Sequence, residues 1–174
     1  TVYLLKRGGS LYAKYYIVTG LTCSVKNITL YTEAGSGYQE GLVTDQAIVM
    51  LTITQPEVTI SNVCFWGNGG NAFGTTNGVV FDARSNGDSE VYSNLDGQIK
   101  GCQFVYLKDG ITGYGRNVVV TKSSFTSCKR GVVGELHTYN SGANTSQFRG
   151  WKVQNCVFHI MGAPYHPDYP AADA

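Results

Sequence analysis

Three segments of equal length open with glycine: Gly78-Val-Val-Phe-Asp82, Gly110-Ile-Thr-Gly-Tyr114 and Gly131-Val-Val-Gly-Glu135. Their last residues are two carboxylic acids with a phenol between them in chain order. A pair of carboxyl groups facing one sugar is the equipment of glycoside hydrolysis: one protonates the leaving oxygen, the other activates water or attacks carbon. The residue after each glycine (Val79, Ile111, Val132) is apolar and suits a core. Three residues later the parity of a strand has flipped, so Asp82, Tyr114 and Glu135 point outward. On successive parallel strands, Asp82 and Glu135 would have backbones about 10 Å apart. Inverting enzymes hold their carboxyls roughly 6.5–9.5 Å apart and retaining ones roughly 5–5.5 Å, so the spacing favours inversion. Glu135 is the expected acid, with a longer reach and with Tyr114 and Leu136 to desolvate it, and Asp82 the base; the roles are exchangeable. The plainer reading of both is that of ordinary solvated acids.

Two residues further on, Arg84, Arg116 and His137 form a second outward column nearer a corner. The arginines suit bidentate contacts to acidic sugars, or pairing with Asp82 and Glu135. His137 suits proton transfer, although a lone surface histidine more often has no such role. Trp66 and Tyr139 are read as insertion aromatics that stack on sugar rings or anchor their own loops. Asp96 and Asp109 fall at corners, where aspartate serves turns, and Asp45 lies in a loop. His159 and His166 have no expected role. Gly67-Asn-Gly-Gly70 has no following lysine and no strand-to-helix setting, so it is no phosphate loop.

The elements that must hold these residues show as a repeated phrase. It reads V-K-N-I-T-L from Val25, I-S-N-V-C-F from Ile60, I-K-G-C-Q-F from Ile99, V-T-K-S-S-F from Val120 and V-Q-N-C-V-F from Val153. Apolar residues at alternate positions mean a strand with one buried face. Asn27, Asn62, Gly101, Lys122 and Asn155 at the third position mark a tight bend. Leu30, Phe65, Phe104, Phe125 and Phe158 at the sixth are expected to stack inside. With the glycine-opened segment added, each repeat has three strands, and the barest repeat, Ile99 to Val120, spans 21 residues. That describes one coil of a parallel β-helix. A β-sandwich would alternate hairpins and would not hold one corner register across five repeats. Insertions at Gly67–Asn77, Ser85–Gly97 and Thr138–Gly150 would wall a groove beside the Asp82 column.

Composition agrees. Charged residues make up 14% of the chain, against 22 glycines and 12 tyrosines, which favours strands and turns over helices. A net charge of +1 gives no reason to expect nucleic acid or an anionic membrane as partner. No apolar run approaches the ~18 residues of a membrane span. No C-x-x-C pairing suggests zinc, and neither metal nor cofactor is expected. Cys102 and Cys156 share one inward register with Ser123 between them, so their Cα atoms would lie about 10 Å apart, beyond the ~7 Å limit for a disulfide. The five cysteines read as core fillers. Residues 1–162 form the expected β-helix domain, clearest from 20, and 163–174 an irregular tail or the start of a cut insertion. Thr1 suggests a processed product or an excised piece.

The phrases I-S-N-V-C-F and V-Q-N-C-V-F, with D-G-I and R-G-V-V-G-E between them, resemble the right-handed parallel β-helix of the pectin-lyase-like superfamily. Its long insertions make the chain look most like bacteriophage tailspike depolymerases, over roughly residues 20 to 162. The resemblance implies an enzyme cutting capsule, O-antigen or pectin-like chains, a parallel homotrimer and a place on the virion tail. The chain departs from the group in having only about five coils and no adhesion or trimer-cap segment. Two other activities suit the fold: a polysaccharide lyase with Tyr114, Arg116 or His137 as base, and a non-catalytic glycan-binding adhesin.

Overall fold

The computed structural model describes residues 2–3, 15–31, 41–67, 75–82, 94–135, 138–139, 144–145, 149–159 and 161, and every regular element among them is a strand. None of them forms a helix long and apolar enough to cross a membrane. The first circuit comprises β1 (Val2–Tyr3), β2 (Tyr15–Ile17) and β3 (Leu21–Cys23). The second comprises β4 (Ile28–Tyr31), β5 (Gly41–Thr44) and β6 (Val49–Ile53), and the third β7 (Val58–Ser61), β8 (Cys64–Gly67) and β9 (Asn77–Phe81). Next come β10 (Asn94–Lys100), β11 (Gln103–Val105) and β12 (Asp109–Gly113), then β13 (Arg116–Thr121), β14 (Ser124–Thr126) and β15 (Arg130–Gly134). A small antiparallel hairpin, β16 (Thr138–Tyr139) with β17 (Asn144–Thr145), interrupts the series before β18 (Lys152–Gln154) and β19 (Val157–His159).

Successive strands visit three sheets in rotation. The first sheet holds β1, β4, β7, β10, β13 and β18, the second β2, β5, β8, β11, β14 and β19, and the third β3, β6, β9, β12 and β15. All pairing within these sheets is parallel, an arrangement consistent with a parallel β-helix. Hairpins cannot produce it, because parallel neighbours need a connection that returns to the same edge.

Alternation builds the core. In β10 exposed and buried residues alternate throughout, and Ile60, Ile99 and Val120 are stacked partners with no exposed surface. In the second sheet Phe65, Phe104, Phe125 and Phe158 are consecutive partners, with near-parallel rings 5.1, 4.9 and 4.9 Å apart. The glycines that open the third-sheet strands are explained by these rings. A Cβ on Gly110 would stand 2.6 Å from Phe125 Cδ1, and one on Gly131 2.5 Å from Phe158 Cε1. Phe104, Phe125 and Phe158 therefore lie against the bare backbone of the preceding circuit.

The corners are ladders of left-handed backbone. Asn62, Gly101, Lys122 and Asn155 have φ of 59°, 63°, 50° and 54° and are linked by the same amide-to-carbonyl step between circuits. A second ladder, before or within the opening residues of β4, β7, β10, β13 and β18, contains Asn27, Glu57, Asp96, Asn117 and Gly150, again all at positive φ. Such angles cost non-glycine residues energy, which the inter-circuit hydrogen bonds offset.

The first phrase is therefore misplaced by the sequence reading. The partner of Ile60 is Leu30, not Val25, which is 56% exposed. Asn27 belongs to the corner of Glu57 rather than that of Asn62, and the phenylalanine column continues through Leu42 instead of Leu30. The partner of Val58 is Ile28, and Cys23 pairs with Ile53 in the third sheet. Asn27 mimics the motif because both corners demand a left-handed residue followed by alternating apolar ones.

All five cysteines are free thiols, four of them buried. Burial pushes the thiols of Cys102 and Cys128 up to about 12, so both stay protonated and fill space. Ser123 sits under Cys102 and donates its hydroxyl to Thr121 O while accepting from Cys102 N. Past the last circuit, inward-type residues meet solvent, and Phe158 is 49% exposed on the end of its stack.

Candidate functional site

The third sheet ends, strand by strand, at one register. Asp82 N donates to Ile53 O at 2.8 Å, Tyr114 N to Phe81 O at 2.9 Å and Glu135 N to Gly113 O at 3.0 Å. Thr54 holds the same place one circuit earlier, its amide bonded to Cys23 O. Asp82, Tyr114 and Glu135 thus occupy consecutive rungs, and all three are half-buried. Phe81, just before Asp82, is buried against glycines 97 and 113, which fixes where the strand stops and its corner begins.

A second polar row lies at the start of the same strands, where Asn77, Asp109 and Arg130 are register partners. Asp109 is 1% exposed and receives Arg130 Nε at 2.6 Å and Nη2 at 2.8 Å. The Asp109 hydrogen bonds hold the Arg130 guanidinium above its ordinary range against the opposing effect of burial. The charges of Asp109 and Glu135 add to the effect. Sequence reasoning assigned Asp109 to a turn and overlooked this pair. The signal was present: Lys108-Asp-Gly110 and Lys129-Arg-Gly131 put opposite charges at one register of adjacent rungs.

The remaining candidates are spread more widely. Arg116 follows Tyr114 across Gly115, whose φ is 103°, and already belongs to β13 of the first sheet. Arg84 and His137 lie outside the described residues. Trp66 is a strand residue of β8, partnered by Val43 and Val105 on the second sheet, rather than an insertion aromatic. Tyr139 stands in β16, on the hairpin that follows Glu135. Asp96 accepts from Asn117 Nδ2 at 3.1 Å and serves its corner. Asp45 is exposed in the bend after β5, and His159 is exposed on β19. Of the insertions expected to wall a groove, residues 68–74, 83–93, 140–143 and 146–148 lie outside the described residues.

Among the described residues no three His, Cys, Asp or Glu side chains gather as metal ligands. A cavity of about 280 Å³ opens among Leu21, Cys23, Ile28, Leu30, Leu42 and neighbouring apolar groups of the first circuits. Its lining is mainly apolar, with Thr22 and Ser24 as its hydroxyl groups. No protein-family profile matches the chain, and no curated protein matches it.

Proposed function

We propose that this protein is a polysaccharide depolymerase, an endo-glycosidase that hydrolyses a bacterial surface polysaccharide with inversion. The supporting observation is the ladder that sets Asp82 and Glu135 at one register on either side of Tyr114. With rungs about 4.8 Å apart, the two carboxylate-bearing backbones lie about 10 Å apart, and side-chain reach brings that into the inverting range. In this reading Glu135 gives its proton to the glycosidic oxygen as the bond to the anomeric carbon breaks. Asp82 takes a proton from water, whose oxygen attacks that carbon from the opposite face. Tyr114 contacts the sugar that spans them. The scaffold is read as a right-handed β-helix of about five coils, one chain of a homotrimer carried on a virion tail.

A lyase is the second reading, favoured by the phenol of Tyr114 standing between two carboxylates, where it would serve as base. Incubation with capsule and O-antigen preparations separates the possibilities. Hydrolysis yields saturated reducing ends of inverted anomeric configuration, elimination yields an unsaturated sugar absorbing in the ultraviolet, and a binding module yields no new ends. Absence of new ends from any preparation that the chain binds would remove the enzymatic reading.

A further inference from the structure

The outward face of the third sheet carries a second column beside the carboxylate one. Thr52, Val80, Thr112 and Val133 are register partners there. Each lies two residues before Thr54, Asp82, Tyr114 or Glu135, so the two columns share one face, about 6.6 Å apart along the strand. Ile111, the residue before Thr112, has no exposed surface and belongs to the inward column with Val79 and Val132. With rungs about 4.8 Å apart, Thr112 stands midway between the strands that lead to Asp82 and Glu135.

Thr112 is 3% exposed, and its Oγ1 meets no hydrogen-bond partner among the described residues. Val80 and Val133, on the rungs to either side, show that this register accepts valine, which has the shape of threonine without the hydroxyl. A buried hydroxyl with no partner costs stability that a valine would not. Packing alone therefore gives no reason for threonine here. Such atoms are few in folded proteins, and each calls for another molecule that completes its bonding.

We propose that Thr112 determines specificity for the sugar held between Asp82 and Glu135, its Oγ1 accepting a hydrogen bond from a ring hydroxyl while Val80 and Val133 lie beside ring carbons. That sugar is a neutral hexose. Across the two columns the described residues carry two acids and no base, so a carboxylate on the ring would be set among acids with no cation to meet it. The inference rests on the reading of this face as the glycan site, and it stands whether or not the bound glycan is cleaved.

The test begins without a ligand. Thr112→Val in the intact chain should melt at the same temperature as the unaltered chain or higher, because the fold makes no use of the hydroxyl. A clear fall in melting would mean that the fold does use it, and would overturn the assignment. The second arm uses neutral and uronate-bearing capsule and O-antigen preparations side by side. Thr112→Val should weaken binding of at least one neutral preparation about ten-fold and raise KM by a similar factor, with kcat much less affected. Thr112→Ser, which keeps a hydroxyl, should recover most of the affinity. Unchanged affinity in Thr112→Val, no recovery in Thr112→Ser, binding of uronate-bearing preparations alone, or binding of no preparation would each overturn the assignment. A neutral glycan held through Thr112 but left uncut would sink the hydrolase reading alone. Cleavage with KM unchanged in Thr112→Val would sink the Thr112 assignment alone.

Discussion

Two ladders run through the same repeats and obey opposite rules. In the second sheet Phe65, Phe104, Phe125 and Phe158 repeat one side chain at one register, facing inward. In the third sheet Thr54, Asp82, Tyr114 and Glu135 hold an equally strict backbone register with a different residue on each rung. Rings packed face to face over bare glycine leave room for one shape, so the inward column is uniform. At the strand ends the backbone alone sets the position, and the side chain is free to be chosen for chemistry. Of these two columns the uniform one reports architecture, and the varied one is where the proposed chemistry is sought.

The contrast is sharpened first by catalysis. On the proposed hydrolase reading, Glu135→Gln removes the donated proton and Asp82→Asn the base, at nearly unchanged shape. Each should lower turnover about 10²–10⁴-fold with melting and glycan affinity nearly unchanged. Rate, affinity and melting measured together check this, and near-normal turnover strikes the residue from the mechanism. The inward column should behave conversely. Phe125→Ala should cost roughly 3–5 kcal/mol in denaturant unfolding. Phe158→Ala should cost clearly less, because its ring is only half covered. Equal costs would mean that the stack is not what holds the circuits together.

A smaller effect follows from the buried thiols. Cys102 and Cys128 are pushed up to about 12 in the folded chain, from 9.0 in the ordinary thiol. Between those values the unfolded state releases protons that the folded state keeps, so stability falls as pH rises. Each thiol adds a slope of about 1.4 kcal/mol per pH unit at most, absent below the ordinary thiol value. Denaturant midpoints from neutral to strongly alkaline pH should show this decline, and Cys102→Ala should flatten it. The smallest change belongs to an exposed corner. Lys122→Ala, at φ 50°, should shift stability by no more than about 0.5 kcal/mol, and a loss approaching that of Phe125→Ala would contradict the inward and outward assignments.

The sequence displayed the inward ladder well and the outward one in part. Four of the five phrases fall at equivalent register, because apolar alternation and phenylalanine survive insertions of any length between them. The phrase at Val25 failed because Asn27 answers a different corner with the same backbone need. Glu57 and Tyr106 take left-handed angles without the residue types that announce them, so their corners were invisible. The Asp109 and Arg130 pair was written in opposite charges at one register, yet a turn offered a sufficient explanation for each residue alone. Arg84 and His137 fall in insertions, whose folding no short periodicity describes.

One feature of the circuits bears on how such a molecule changes over generations. Val120 and Val153 are direct partners even though the β16–β17 hairpin lies between them in the chain, whereas Ile99 and Val120 pair across a bare circuit. The register thus tolerates lengthening at a corner, and doubling a flexible loop costs only about 0.6 kcal/mol in closure entropy. A corner here can take added length without disturbing the stacked strands on either side of it. Segments could be traded, lengthened or lost there, while the phenylalanine stack and the register that carries Asp82, Tyr114 and Glu135 on successive rungs stay where they are.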